Sequence, residues 1–133
     1  SLSAILALRE DGTVWSWGDT AVLGRAGDAT VPAPIPTLSA IAAIGAGNTN
    51  GYAAGLDGTL WAWGDNYGGQ LGDGTTNHAP NPIAVPGLSG IIAAEGGLQF
   101  TVALKNDGTV WGIDVEPTAV RVAHLCPELA RPR

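Results

Sequence analysis

The chain has 133 residues, of which 45% are hydrophobic and 14% are charged, and its formal net charge is −6. This composition excludes an intrinsically disordered chain, and the length fits one domain or part of one. The acidic balance, without a basic stripe, argues against binding to nucleic acid or anionic lipid through charge, and no apolar run approaches the roughly 18 residues of a membrane-spanning helix.

One motif recurs nearly three times along the chain. It reads Asp-Gly-Thr-Val-Trp-Ser-Trp-Gly from Asp11 and Asp-Gly-Thr-Leu-Trp-Ala-Trp-Gly from Asp57, and it returns from Asp107 without its second tryptophan. The spacing of roughly 50 residues lies in the range typical of solenoids, propellers and repeat arrays. The sequence therefore predicts a repeat architecture.

Each copy of the motif predicts a β-hairpin. Asp-Gly between two apolar runs favours a two-residue type I′ turn, in which both central residues have positive φ. After the turn, Trp15 and Trp17 lie two residues apart, so in a strand they share a face that we expect to pack against a neighbouring sheet. The residues with this predicted structural role are Asp11, Gly12, Trp15, Trp17, Asp57, Gly58, Trp61, Trp63, Asp107, Gly108 and Trp111.

Two further segments accompany the hairpin in each repeat. Val31–Pro36 is rich in proline, and because each proline removes a backbone donor, we predict an outer edge strand there. Leu38–Gly45 is small, apolar and uncharged, and we predict that it is the inner strand and the most buried strand of its unit. Both features return in the next copy, at Pro80–Gly87 and Leu88–Ala94.

A full repeat thus contains four short strands, which is the content of one propeller blade. We predict an all-β fold of β-propeller blades, each of four short antiparallel strands, with about three blades in one repeat domain over residues 1–133. Blade one spans about residues 1–38 and lacks its inner strand, blade two spans 39–87, blade three spans 88–125, and 126–133 form a tail. So few blades do not close a ring, so we expect a partial propeller or one completed by other copies.

The repeat resembles a known signature. Ala103–Trp111 is similar to the regulator-of-chromosome-condensation repeat, as is Trp61–Asn66 with its continuation Gly69–Thr75, and the likeness covers about residues 3–125. The short loops are closest to the simpler bacterial form of that repeat. The resemblance implies a β-propeller, typically of seven blades. Activities in the family include guanine-nucleotide exchange, chromatin binding, β-lactamase inhibition and plant light sensing, and none of them carries over, because the exchange factor's inserted wedge and the photoreceptor's tryptophan motif are missing from this sequence.

Residues capable of catalysis are sparse. His78 and His124 are the two histidines, and neither stands at metal-ligand spacing with the other or with Cys126. Asp65–Asn66 and Asp73–Gly74 offer oxygen donors suited to calcium but lack the alternating acidic spacing of a calcium loop, so turn capping is their favoured role. We therefore expect no enzyme activity, no catalytic or metal site, and no cofactor.

The candidate binding surface is the long loop of the second repeat, residues 65–78. Loops at one end of a propeller form a ready binding face, and tyrosine is favoured at interfaces. The alternative is a turn common to such repeats that binds nothing. The candidate residues are Asp65, Asn66, Tyr67, Gln70, Asp73, Asn77 and His78.

These observations predict a non-enzymatic protein-binding or scaffold module whose partner is another protein or further copies of itself. The alternative function is a structural repeat segment of a large surface protein or a self-assembling lattice. Because blade one lacks its inner strand, one edge of the predicted strand Ile5–Leu8 has no strand to pair with. We therefore expect a homo-oligomer or a piece of a longer chain. The compartment stays open, with an extracellular or bacterial cell-surface location favoured.

Overall fold

Three antiparallel sheets follow one another along the chain in a computed structural model that describes residues 4–97, 100–113 and, as strand backbone, 120–124. The predicted tail, residues 126–133, and Cys126 lie outside the described residues. The strands are β1 (Ile5–Leu8), β2 (Val14–Trp17), β3 (Ala33–Pro34), β4 (Ile41–Ala46), β5 (Asn50–Gly55), β6 (Leu60–Gly64), β7 (Ala79–Ala84), β8 (Ile91–Gly96), β9 (Thr101–Lys105), β10 (Thr109–Ile113) and β11 (Val120–His124), with one turn of 3-10 helix at Thr20–Val22.

Each sheet is a meander of neighbouring strands. Blade one has the order β1-β2-β3, blade two β4-β5-β6-β7, and blade three β8-β9-β10-β11. The proline-containing strands β3 and β7 lie at outer edges, as predicted, because an edge position needs no donor on its free side. The all-β prediction is confirmed. In the described part of the chain, no helix has the length and apolarity needed to cross a bilayer.

The Asp-Gly turns differ from the prediction. Gly12, Gly58 and Gly108 have φ of 84°, 85° and 87°, but none of the aspartates before them has positive φ, so the type I′ assignment is wrong. The N–H of Gly12 donates to the carbonyl of Arg9 (3.0 Å), which is the hydrogen bond of a type I turn followed by a left-handed glycine. The loop is therefore three residues long and needs one glycine instead of two positive-φ residues.

The inner strand is not the most buried strand of its unit. In β4 only Ile41 is buried, whereas every residue of β5 is buried. The reason is position: β4 is the edge strand of blade two, while β5 has hydrogen-bonded neighbours on both sides. The small residues of β4 instead let it lie close to blade three, since a Cβ added to Gly45 would overlap the carbonyl oxygen of Ala94.

Two apolar junctions join the three blades. The first junction lies between blades one and two and buries Val14, Ile35, Leu38, Ile41, Ala53 and Trp63. The second lies between blades two and three and is formed by residues that include Tyr52, Leu60, Ala62, Leu71, Ile91 and Ile113. Successive residues of β6 serve opposite junctions because side chains alternate across a strand. Blade two is therefore covered on both faces.

Backbone hydrogen bonds fix each blade to the next at the Asp-Gly turns. The N–H of Ile41 donates to the carbonyl of Gly12 (3.1 Å), and the N–H of Ile91 donates to the carbonyl of Gly58 (3.0 Å). Each turn thus holds the start of the following inner strand. The Asp-Gly turns all lie at one end of the strands, which is called the turn end below. Residues 65–78 lie at the opposite end of the strands, which is called the loop end.

A candidate protein-binding loop

The loop of residues 65–78 connects β6 to the outer strand β7 at the loop end of blade two. Its start is tied to the sheet, because the N–H of Asp65 donates to the carbonyl of Thr49 (3.1 Å). Two tight turns follow, closed by Gly69 N–H to the Asn66 carbonyl (3.1 Å) and Gly72 N–H to the Gly69 carbonyl (3.0 Å). The loop is therefore built of turns anchored to the sheet below it.

Asn66 organises the loop from within. Its side chain is fully buried, and its Nδ2 donates to the carbonyls of Thr75 and Asn77, both at 2.9 Å, and to the carboxylate of Asp73 at 3.3 Å. Its Oδ1 accepts the N–H of Leu71 at 3.0 Å. One carboxamide thus satisfies four groups between Leu71 and Asn77, which draws the two halves of the loop together.

Gln70 connects the loop to the blade interior. Its Oε1 accepts the N–H of Gly68 (2.8 Å) and its Nε2 donates to Oδ1 of Asn50 (3.3 Å). Asn50, fully buried in β5, donates in turn to the carbonyls of Trp63 and Asp65. Two buried amides therefore form a continuous hydrogen-bonded path from the sheet to the loop.

The exposed part of the loop is a small aromatic cluster. Tyr67 is 68% exposed, and its ring meets the ring of His78 edge to face, with centroids 4.4 Å apart. Nδ1 of His78 lies 3.2 Å from the carboxylate of Asp65, which orients the imidazole, and the His78 side chain is 41% exposed. The loop can therefore present an aromatic ring, an imidazole and a carboxylate together.

The predicted loop residues thus separate into two groups. Asn66 and Gln70 are buried and hold the loop, so they cannot offer their side chains to a partner. Tyr67, Asn77 and His78 are exposed. Asp65 and Asp73 are half-buried and make contacts within the loop. Asp65 orients His78, and Asp73 accepts hydrogen bonds from the N–H and hydroxyl of Thr75 (3.0 and 2.8 Å).

Sequence reasoning missed Asn50 and Thr101. Thr101, in β9 of blade three, is buried, and its hydroxyl lies 2.8 Å from the carbonyl of Gln70 and 2.7 Å from Oη of Tyr52. Both missed residues are polar residues next to small or apolar ones in predicted strands. That signal could have marked them as internal hydrogen-bonding positions, because buried polar groups need partners.

Blade one holds its equivalent loop with a different side chain. The guanidinium of Arg25 donates to the carbonyls of Ser16 (2.9 Å), Val31 (2.8 Å) and Asp28 (3.2 Å). Its Nε also donates to the hydroxyl of Ser16 at 3.2 Å. In this shorter loop, Arg25 supplies the several donors that the carboxamide of Asn66 supplies in blade two.

The ionisable residues show turn chemistry. Hydrogen bonds from the hydroxyl and N–H of Thr13 hold the pKa of Asp11 below its usual value, and the N–H and hydroxyl of Thr59 do the same for the pKa of Asp57. Burial raises the pKa of Tyr52 to about 12. Within the described residues, no three histidine, cysteine or acidic side chains converge as a metal site would require.

Comparison with known proteins identifies the repeat. The regulator of chromosome condensation (RCC1) repeat matches residues 57–104. The E3 ubiquitin-protein ligases HERC2 of Homo sapiens and Mus musculus are each 35% identical to the chain in an alignment of 117 residues that covers 80% of this chain and 2% of the ligase. The chain thus spans a very small part of those relatives, and both are eukaryotic, so they do not support the bacterial form of the repeat.

Solved structures show the same fold. Yeast RCC1 (Prp20) bound to Kap60 matches with a TM-score of 0.77 at 19% identity, covering 94% of this chain and 37% of that one. Human WBSCR16 matches with a TM-score of 0.73 at 18% identity, covering 90% and 35% of the two chains. Prp20p of Saccharomyces cerevisiae, studied for its binding to Gsp1p and histones, matches with a TM-score of 0.72 at 22% identity, covering 94% and 39%. Residues 57–104 therefore belong to the RCC1 repeat family, and the three consecutive blades of the chain share the β-propeller fold of the RCC1 structures.

Proposed function

We propose that the chain is a non-enzymatic protein-binding module whose blades present the loop of residues 65–78 to a protein partner. Proteins of this repeat family typically bind other proteins, as yeast RCC1 binds Kap60. The main contacts of the partner are with Tyr67 and His78, because these are the exposed aromatic groups of the loop. Asn66 and Gln70 contribute by holding the loop in its shape.

The observation that carries this proposal is an exposed tyrosine on a rigidly held loop. An interface gains most from groups that are already ordered before binding, because little conformational entropy is then lost. The buried amides of Asn66 and Gln70 provide that order, and Tyr67 supplies a large ring with a polar tip. Aromatic residues in such settings are common hot spots of protein interfaces.

The test is capture of proteins from the source organism's lysate by the immobilised chain, followed by affinity measurement on the captured partner. We expect Tyr67→Ser to weaken binding about tenfold or more, the usual effect of losing a hot-spot side chain. Thr76→Ala, an exposed change in the same loop, is the matched control and should leave the affinity within twofold. Equal capture by wild type and Tyr67→Ser would refute this loop as the binding site.

A second candidate function is a structural one, a repeat segment that assembles with copies of itself or with further blades. Two apolar faces favour it. Trp15 and Trp17 line an open depression of about 310 Å³ on blade one, and Val102, Leu104 and Val110 line one of about 220 Å³ on blade three. Neither face is covered by another blade among the described residues, whereas both faces of blade two are.

Sedimentation velocity tests the structural candidate. If the open faces pair between copies, the chain should form oligomers whose fraction rises with concentration. Trp17→Ser would then lower the oligomer fraction, because it adds a polar group to the exposed apolar face. A folded monomer with sharp thermal unfolding across the micromolar range would exclude self-assembly of the isolated chain.

A further inference from the structure

The three Asp-Gly turns have the same backbone but different tips. The residue before the aspartate is Glu10 in blade one, Leu56 in blade two and Asn106 in blade three. Leu56 is 75% exposed, the highest exposure of a large apolar residue in the described chain. Because two of the three turns carry polar residues at this position, the fold does not require the leucine.

A second surplus apolar side chain lies beside it. Ile92, the second residue of β8, is 46% exposed, and the equivalent residue of β4 is Ala42. The preceding blade therefore folds with alanine at this position, so the fold does not require the isoleucine. The chain thus places two extra apolar side chains at one point, the turn end of the second junction.

These residues line one depression of about 230 Å³, together with Ala42, Asp57, Gly90 and Asn106. The depression combines an apolar wall with a charged rim. The carboxylate of Asp57 accepts the N–H of Thr59 at 3.0 Å, and no lysine or arginine among the described residues pairs with it. Hydrogen bonds from Thr59 hold the pKa of Asp57 below its usual value, so the rim stays negative at neutral pH.

We propose that this depression binds an extended segment of a partner protein in which an apolar side chain stands next to a lysine or arginine. The apolar side chain enters between Leu56 and Ile92, and the cation pairs with Asp57. Charge complementarity selects this occupant over an acidic one, since the rim carboxylate is unpaired and the chain has a net charge of −6. The depression lies at the opposite end of the sheets from residues 65–78, so it is independent of the proposed function.

Selection from a phage-displayed library of random dodecapeptides tests the chemistry of the occupant. Enrichment of peptides with an apolar residue beside lysine or arginine supports the proposal. Enrichment of acidic peptides, or of none above background, overturns it. The affinity of the strongest synthetic peptide should also fall as salt is raised, because the ion pair with Asp57 is exposed.

Variants taken from the chain's own repeats locate the site. Leu56→Asn copies the turn of blade three and Ile92→Ala copies β4, so both should fold, which thermal melting checks. We expect each to weaken the peptide at least fivefold, and Asp57→Asn, which keeps the acceptor for Thr59, to weaken it similarly and reduce its salt dependence. Glu10→Asn, the same tip change in blade one, should have less than a twofold effect.

The outcomes of the variant series are distinct. Unchanged binding by Leu56→Asn and Ile92→Ala overturns the proposal, because the peptide then sits elsewhere. A dimer seen in sedimentation that Leu56→Asn dissolves also overturns it, in favour of a second copy as occupant. Loss of binding in all three variants but not in Glu10→Asn supports the site as stated.

Discussion

The two blade junctions bring equivalent positions together but fill them with different residues. At the first junction, Trp63 is fully buried opposite Gly51 in the neighbouring strand. At the second, the equivalent pair is Ile113 opposite Thr101. A Cβ on Gly51 would overlap the indole of Trp63, so the large ring requires the glycine, and the smaller isoleucine leaves room for threonine.

The hydrogen bond at this position is kept although the residue that donates it changes. Nε1 of Trp63 donates to the carbonyl of Val22 at 2.9 Å. At the second junction, the equivalent carbonyl belongs to Gln70, and the hydroxyl of Thr101 lies 2.8 Å from it. The two junctions therefore have a similar summed side-chain volume at this pair of positions and one buried hydrogen-bond donor. The donor belongs to β6 at the first junction and to β9 at the second.

The largest expected effect follows from removing the ring at the first junction. Trp63→Ala should lower the free energy of unfolding by about 3–5 kcal/mol, because it leaves a cavity and an unpaired carbonyl at Val22. Trp17→Ala, the same change on the half-buried face of blade one, should cost about 1 kcal/mol. Urea unfolding measures both, and similar losses would contradict the role of the neighbouring blade.

Transplanting the filling of the second junction into the first is a sharper test. Trp63→Ile alone leaves a void, and Gly51→Thr alone overlaps the indole, so each should cost about 3 kcal/mol. The double variant should recover about 1–3 kcal/mol relative to their sum, because threonine fills the void and supplies the donor to Val22. Trp63→Ile with Thr76→Ala is the additive control. If the losses of Trp63→Ile and Gly51→Thr simply add in the double variant, the two residues do not compensate for each other.

The glycines of the two turns give a smaller difference. Gly12 and Gly58 have nearly equal φ, 84° and 85°, so alanine incurs the same backbone strain at both. An added Cβ at Gly58 would lie 2.7 Å from the backbone nitrogen of Gly90, but at Gly12 the nearest atom is Cα of Ala40 at 3.1 Å. Gly12→Ala should cost about 1–2 kcal/mol and Gly58→Ala about 1–2 kcal/mol more.

Thermal and urea unfolding compare the two glycine variants directly. Gly87, with φ of 76° and no atom within 4 Å of an added Cβ, provides the reference for backbone strain alone. Gly87→Ala should therefore resemble Gly12→Ala more closely than Gly58→Ala. Equal losses at all three positions would show that strain, and not the approach of blade three, determines the cost.

Apart from the type of the Asp-Gly turns, the sequence predicts the local features of this molecule well, and it predicts features that depend on neighbouring blades poorly. The hairpins and the proline-containing edge strands follow from turn residues, alternation and missing donors, all of which act within a few residues. The burial of Asn66 and Gln70 could not be predicted, because polar residues in a loop normally face water and their partners, such as Asn50, are distant in sequence. The unequal environments of Trp17 and Trp63 depend on whether another blade covers them.

The smallest expected effect concerns the residue that directly precedes each inner strand, Ala40 before β4 and Gly90 before β8. Ala40 has φ of 52°, whereas its equivalent at the second junction is Gly90, with φ of 67°. Both are held there by the same bonds: the N–H of Leu56 donates to the carbonyl of Ala40 and the N–H of Asn106 to that of Gly90, each at 2.8 Å. Each bond joins two residues of the same blade, so Ala40 is held in its left-handed conformation by the hairpin of its own blade.

Ala40→Gly should raise the free energy of unfolding by about 0.5–1 kcal/mol. Relief of the left-handed strain is worth about 1–2 kcal/mol, and the greater freedom of glycine in the unfolded chain offsets about 0.4–1 kcal/mol of it. Little burial is lost because Ala40 is exposed. Ala42→Gly, two residues along in β4, is the matched control and should destabilise by about 0.5–1 kcal/mol, since strand glycines carry only the entropic cost. The midpoints of urea unfolding should therefore move in opposite directions, and a loss of stability in Ala40→Gly equal to that in Ala42→Gly would show that the backbone stores no strain at this position.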